Sequence, residues 1–240
     1  MQIRENTTKA TLRKRKDFSD HKYSASLSQD LFNVVSDRAK YYGGSQYLYA
    51  KERDRTSGCG IAGAADVLLY LKLRESGASS VSVQQFLEVS RDIRKFIPII
   101  PGRGVNAFLL ASGLNRYFKK NGIELKARWK LSCFKKWETL VKMLKDNIPV
   151  ILAIGNNFPF VWGKKKLNLY VEDHGNRDTE EPVYRKDQSV YGHFVVVTKI
   201  EDNCLTVSSW GRKFFINIDE YNRYVLRHST HLYSNILVIK

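Results

Sequence analysis

The sequence has few of the features that mark secreted, disulfide-bonded or membrane-spanning proteins. Among its 240 residues there are three cysteines, Cys59, Cys133 and Cys204. An odd number at long, irregular spacings argues against a disulfide framework and favours a reducing compartment. No apolar run is long enough for a membrane span, and none follows the basic residues near the N-terminus as a signal peptide requires. These absences predict a soluble, cytoplasmic protein without a membrane span.

Acidic residues are also scarce relative to basic ones. Lys and Arg number 40 against 24 Asp and Glu, which gives a formal net charge of +16. Such a charge attracts polyanions. The charge is spread out, however: residues 1–16 form one basic cluster and residues 164–166 another, and no recognised nucleic-acid-binding motif accompanies them. Nucleic-acid binding through the basic surface stays open, but no motif favours it.

The chain does contain enough apolar sequence for a sizeable core. Hydrophobic residues make up 43% of it and aromatic residues 12%, which suits one large domain or two lobes around a cleft. We expect residues 1–28 to form a basic arm and residues 29–240 a single domain. Within that domain, residues 29–146 should be largely helical and residues 147–240 should form an antiparallel sheet, an α+β plan.

The spacing of apolar residues predicts the individual elements. Helical periodicity indicates a helix that begins near Cys59 and further helices at residues 28–39, 82–95, 105–120, 134–145 and 219–226. Alternating or short continuous apolar runs predict strands at residues 124–131, 149–154, 167–171, 191–200, 205–211, 212–218 and 234–240, the last at a sheet edge. Loops are expected at residues 155–166 and 172–190.

Cys59 lies where a polar, glycine-flanked turn enters an apolar helix. A helix N-terminus favours a thiolate over a thiol, so this position is expected to lower the pKa of the cysteine. Gly58 and Gly60 leave space beside the sulfur for a substrate carbonyl, and the N–H of Cys59 is a candidate donor to the oxyanion that would form. The alternative is a buried cysteine that does no chemistry.

His193 is the histidine best placed to act as a base for this cysteine. It follows Gly192 at the start of a predicted strand, and Ser208-Ser209-Trp210-Gly211 lies on the partner strand of the same hairpin. The alternative is a histidine whose ring is satisfied structurally at a strand end.

Taken together, these segments resemble the papain-like cysteine peptidases, particularly the compact bacterial branch related to the bacteriocin-leader, or double-glycine, peptidases. The resemblance covers roughly residues 45–218 and depends on the order and context of several motifs. They are Ser57-Gly-Cys-Gly at the start of a long helix, Pro149-Val-Ile-Leu as a core strand, Gly192-His-Phe-Val-Val-Val-Thr, and Val207-Ser-Ser-Trp-Gly.

The resemblance implies a papain-like fold and a role for each of four residues. Cys59 would be the nucleophile and His193 the base that shares its proton and later protonates the leaving group. Ser208 occupies the position of the family's Asn or Asp that orients the imidazole. Trp210 would shield the imidazole from water, and the two long loops would border the substrate groove.

The resemblance also implies an oxyanion-hole glutamine a few residues before the nucleophile. Arg53 and Asp54 occupy that neighbourhood, and the nearest glutamine is Gln46. We therefore consider Arg53 or Arg55 as a substitute donor, together with the backbone beside Gly58.

The function that these residues predict is a cysteine-dependent hydrolase, a peptidase or amidase that acts through a covalent thioester on Cys59. Its substrate would be a peptide or protein, and the basic charge favours an acidic one. A transferase that uses the same acyl-enzyme would have the same sequence features. The alternative is a papain-fold binding protein that has lost turnover and holds an anionic partner on its basic surface. We expect neither a cofactor nor a metal site.

Overall fold

The structure of the protein is a computed structural model that describes residues 23–100, 104–132, 134–155, 159–173 and 183–240. Cys133, residues 1–22 of the predicted basic arm and parts of both predicted loops lie outside the described residues. None of the helices in the described part of the chain is long and apolar enough to cross a bilayer.

Most of the helical sequence lies in the first half of the chain, as predicted. The helices are α1 (Glu52–Ser57), α2 (Cys59–Leu73), α3 (Val83–Arg94), α4 (Ala107–Lys120), α5 (Lys136–Lys145), α6 (Pro159–Trp162) and α7 (Ile218–His228), with a 3-10 turn at Gln46–Leu48. A capping interaction at the start of α3 explains why the sequence predicted this helix boundary. Ser82 Oγ accepts from the backbone N–H of Gln85, and the Gln85 side chain accepts from the N–H of Ser82, which completes a capping box.

The strands form one large antiparallel sheet and one small sheet. The strands are β1 (Tyr23–Ser26), β2 (Asn33–Val35), β3 (Lys40–Tyr42), β4 (Ser80–Ser82), β5 (Ala127–Trp129), β6 (Val150–Ile154), β7 (Leu167–Glu172), β8 (Tyr184–Val190), β9 (His193–Asp202), β10 (Cys204–Ser209), β11 (Arg212–Asn217) and β12 (Ile236–Ile239). The large sheet has the order β5-β12-β6-β9-β10-β11-β7-β8, with β1 paired to β9, and the small sheet has the order β3-β2-β4. The α+β prediction is confirmed.

The prediction of a helix at residues 28–39 is wrong. Asn33–Val35 forms β2, which pairs antiparallel with β3 and parallel with β4. The segment then turns back through a hydrogen bond from the N–H of Ser36 to the carbonyl of Ala39. Val34 is fully buried in this pairing. Sheet contacts with distant segments therefore override a local pattern that resembled a helix.

Three other boundaries differ from the prediction because strands pair with distant partners. Tyr23–Ser26, assigned to the basic arm, pairs with residues 199–202 of β9, beyond the part of β9 that β6 covers. Residues 184–190, assigned to a loop, form β8 against β7. The last strand, β12, lies between β5 and β6 and not at the sheet edge.

The core that positions the site lies between α2 and the centre of the large sheet. All five residues of β6 are buried, and the neighbouring β9 is buried through its first six residues. Along α2, small residues allow close approach: a Cβ on Gly63 would touch Val196 and Ile151 at 3.4 and 3.9 Å. The helix that begins at Cys59 is thereby held against the strand that begins at His193.

Candidate active site

Gly58 sets the position of Cys59 as the first residue of α2. It joins α1 to α2 and accepts hydrogen bonds from the N–H groups of Ile61 and Ala62. A Cβ at this position would lie 2.3 Å from the carbonyl oxygen of Asp54 and 2.8 Å from the ring of Tyr49. Only glycine allows the two helices to meet so closely, which places the sulfur of Cys59 at the helix start.

The sulfur of Cys59 lies among backbone N–H groups. Those of Phe194, Gly60 and Cys59 itself interact with it and each lowers the pKa of the thiol, but burial is the larger effect and raises the pKa of Cys59 above its usual value. The expectation of a lowered pKa is therefore wrong, because desolvation of the thiolate outweighs the helix N-terminus. Cys59 is nonetheless only half-buried as a residue, and it lines a cleft that is partly open to solvent.

His193 is the first residue of β9, and the backbone N–H of the next residue, Phe194, interacts with the Cys59 sulfur. The histidine pairs with Ile154 of β6 and is 7% exposed. Its ring stacks on Trp210, with centroids 4.5 Å apart and planes 24° apart. Burial lowers the pKa of His193 to about 4, so the imidazole is neutral at pH 7.

Ser209, and not Ser208, contacts the imidazole. The Oγ atom of Ser209 lies 2.7 Å from Nε2 of His193. The Oγ atom of Ser208 instead donates to the carbonyl oxygen of Tyr42 at 2.9 Å. Consecutive residues of a strand point to opposite faces, and therefore the assignment of Ser208 to this position was off by one residue.

The Ser209 contact determines which ring nitrogen of His193 can accept a proton. If Nε2–H donates to Ser209, Nδ1 carries the lone pair and can act as a base. If the hydroxyl donates to Nε2, Nδ1 carries the proton and cannot accept another. A basic Nδ1 therefore requires that Ser209 act as the acceptor.

A small cleft, partly open to solvent, brings several of these residues together. The polar or reactive side chains that line it belong to Gln46, Cys59, Asp66, Ser208, Ser209 and Trp210. The Cys59 thiol thus shares one cleft with two groups to which the sequence assigned no role, Gln46 and Asp66. Asp66 follows an apolar stretch of helix, and a single acidic residue in such a stretch does not by itself indicate a functional site.

Gln46 is the glutamine nearest to Cys59 in the chain, and the sequence analysis gave it no role in the site. It is 6% exposed, and its Nε2 donates to the carbonyl oxygen of Arg55 at 2.6 Å. An amide NH₂ group has two hydrogens, which leaves one for a ligand in the cleft. Helix α1 lies between Gln46 and Cys59 in the chain, and the resulting long spacing hid the glutamine from a pattern that expects it a few residues away.

Arg53 and Arg55, which the sequence suggested as substitute donors, are not among the residues that line this cleft. The side chain of Arg53 is 51% exposed and lies 3.9 Å from Asp54. Arg55 donates through Nη1 to the carbonyl oxygens of Tyr49 and Ala50, so it stabilises the segment that enters α1.

The chain matches no family model, no curated protein and no solved structure. The chemistry of the cleft is therefore argued from its own residues.

Proposed function

We propose that the protein is a cysteine-dependent hydrolase with a papain-like arrangement, in which Cys59 is the nucleophile and His193 the general base. The observation that carries the proposal is the set of contacts around the pair. The sulfur lies at a helix start among backbone N–H groups, one of them that of Phe194, and the imidazole of the preceding residue, His193, is held by Trp210 and Ser209. A nucleophile, a base and a group that orients the base are the parts that such chemistry needs.

Formation of the acyl-enzyme starts from a neutral pair. Because burial raises the pKa of Cys59 and lowers that of His193, Nδ1 takes the thiol proton as the sulfur attacks a substrate carbonyl carbon, not before. The carbonyl oxygen becomes an oxyanion, for which the N–H of Cys59 and the amide of Gln46 are the candidate donors. When the carbon–nitrogen bond breaks, the amine leaves with the proton from His193.

Hydrolysis of the resulting thioester returns the enzyme to its starting state. Water attacks the thioester carbon, and His193 accepts a proton from it. The carbon–sulfur bond then breaks, the sulfur regains a proton, and a carboxylic acid is released. An amine acceptor in place of water would make the same site a transferase. Peptide and protein amides are the substrate class that suits this chemistry, and the net charge of +16 favours acidic ones.

A second candidate is a binding protein of the same fold that has lost turnover and holds an anionic partner. The pKa directions favour it, because they leave both Cys59 and His193 uncharged at rest. This candidate predicts no acyl-enzyme turnover. It also predicts binding of a fluorescent single-stranded DNA or polyglutamate probe that weakens steeply with salt.

The test of the first candidate is site-resolved acetylation by p-nitrophenyl acetate, followed by mass spectrometry of the wild-type protein and a His193→Gln variant. We expect Cys59 to be acetylated first in the wild type. Loss of the base should slow that step by roughly a hundredfold.

Cys204 supplies an internal control in the same samples. It is also partly accessible, but burial raises its pKa to about 12 and no histidine among the described residues pairs with it. Its acetylation should be slow and equal in both proteins. Equal acetylation of Cys59 with and without His193 would contradict the proposal, provided that circular dichroism shows the variant to be folded.

A further inference from the structure

Asp66 is a buried carboxyl group in the same cleft that the proposed reaction does not use. It follows Cys59 by about two turns of α2, which brings it back to a similar face of the helix. Asp66 is 2% exposed and lines the cleft together with Cys59 and Gln46. A carboxyl group at such depth needs a partner that compensates for its burial.

The partner of Asp66 is the backbone of the segment that leads to Gln46. Its Oδ1 accepts from the N–H of Gly44 at 2.7 Å. The carbonyl oxygen of Gly44 in turn accepts from the N–H of Gly211 at 3.0 Å, next to the Trp210 that stacks on His193. One glycine thus connects the helix of Cys59, the segment of Gln46 and the turn of Trp210.

The surroundings of Asp66 leave little room for rearrangement. Gly43 has a positive φ of 67°, and a Cβ there would lie 2.6 Å from Ser208 Oγ and 2.8 Å from Asp66 Oδ2. The titratable groups near the carboxyl are the thiol of Cys59, which lines the same cleft, and the phenol of Tyr49, whose pKa is raised mainly by burial and further by an ionised Asp66.

Burial raises the pKa of Asp66 to about 8, and the Gly44 N–H is the one described group that opposes this rise. No described cation lies near enough to lower the pKa of this carboxyl further. A neutral carboxylic acid therefore occupies the site at pH 7. An ionised one would be a buried anion compensated by a single backbone N–H, which favours entry of water or displacement of the segment.

We propose that Asp66 is a positioning residue: its neutral carboxyl fixes residues 43–46 against the Cys59 helix, and its ionisation loosens that segment and slows acylation of Cys59. The effect on acylation rests on the proposed function. The loosening does not, because it follows from the burial of Asp66 with a single backbone N–H as its described partner. The two parts can therefore fail separately.

The first measurement is the rate of Cys59 acetylation by p-nitrophenyl acetate from about pH 6 to about pH 9.5 in the wild type and in Asp66→Asn. Asparagine keeps an acceptor for Gly44 but cannot ionise. We expect both rates to match at low pH, and the ratio of variant to wild-type rate to rise by up to about tenfold per pH unit above the Asp66 titration. Asp37→Asn makes the same change in an exposed turn and is the matched control. Its acetylation rate should equal that of the wild type at every pH.

The second measurement is hydrogen exchange by mass spectrometry on the wild type alone, which needs no variant to fold. Corrected for the intrinsic effect of pH on exchange, residues 43–46 should lose protection above about pH 8, while α3 should keep it. Unchanged protection of residues 43–46 together with identical pH profiles for wild type and Asp66→Asn would overturn the inference. If Cys59 is not acetylated at all but protection is lost as expected, the proposed function fails and the positioning role of Asp66 stands.

Discussion

The Nε2 atom of His193 lies 2.7 Å from the Oγ atom of Ser209, on the neighbouring strand of the large sheet. A single hydroxyl therefore stands at the position that orients the imidazole, while the adjacent Ser208 is engaged with the backbone of Tyr42. The geometry makes the two serines distinguishable by experiment.

We predict that Ser209→Ala slows acetylation of Cys59 more than Ser208→Ala does. Loss of the Ser209 hydroxyl removes a hydrogen bond worth about 1 kcal/mol, which corresponds to roughly a fivefold change in rate. Ser208→Ala should instead lower the free energy of unfolding, because it removes the bond to Tyr42. Acetylation kinetics and urea unfolding of both variants check this, and the reverse order of rates would restore the assignment of Ser208.

Gln46, which lines the cleft, and Arg53, which the sequence suggested, are competing candidates for an oxyanion donor. We predict that Gln46→Ala slows Cys59 acetylation by up to roughly a hundredfold, as loss of one oxyanion donor does elsewhere. Arg53→Ala, at an exposed side chain, should change the rate little. A large loss in Arg53→Ala and a small one in Gln46→Ala would favour the arginine instead. Arg53→Ala/Arg55→Ala with wild-type kinetics would remove both arginines from consideration.

The raised pKa of Asp66 also leads us to predict that the stability of the wild type relative to Asp66→Asn depends on pH. The pKa of a carboxyl group is near 4 in an unfolded chain and is raised to about 8 here, so the folded state holds the proton more tightly. The contribution of Asp66 to the free energy of unfolding is therefore full below about pH 4 and falls by at most about 1.4 kcal/mol per pH unit as pH rises toward 8.

Asp66→Asn lacks this loss, so its stability relative to the wild type should increase between about pH 5 and about pH 8. Urea unfolding of both proteins at the two pH values measures the change, and groups common to both, such as His193, cancel. A difference in stability that does not vary with pH would show that Asp66 is ionised throughout this range.

We predict that a side chain at position 58, at the start of the Cys59 helix, lowers the stability of the protein. A Cβ there would lie 2.3 Å from the Asp54 carbonyl oxygen, so Gly58→Ala must move α1 relative to α2. We expect the variant to lose about 1–3 kcal/mol of stability. Gly77→Ala is not a suitable control because its φ is 68°. Ser79→Ala, in the exposed segment before β4, should have little effect.

The sequence predicted the elements whose signals are local. The capping box at Ser82, the continuous apolar run of β6 and the hairpin of β9 and β10 all carry their own patterns. Cys59 and His193 were found because each begins such an element. The packing of α2 on β9 then places the Cys59 sulfur at the backbone N–H of Phe194, the residue after His193.

Other features depend on contacts that no local pattern contains. β2 lies in the small sheet because β4, far along the chain, pairs with it. Gln46 lines the cleft although α1 separates it from Cys59 in the chain, and its side chain is hydrogen-bonded to the Arg55 carbonyl of α1. Ser209 takes the place expected for Ser208 beyond a shift in the register of β10 against β9 between Thr206 and Val207. The pKa of Cys59 was predicted in the wrong direction because burial depends on the whole fold.

The most direct test of the central claim, that Cys59 forms and releases an acyl group, is a rapid-quench experiment with p-nitrophenyl acetate followed by intact-mass and peptide analysis. We predict a burst of about one p-nitrophenol per protein and one acetyl group on Cys59. That acetyl group should then be lost at the rate of steady-state turnover. An acetyl group that persists on Cys59 without turnover, or a protein in which Cys59 is never acetylated, would contradict the hydrolase and leave the binding protein as the better account.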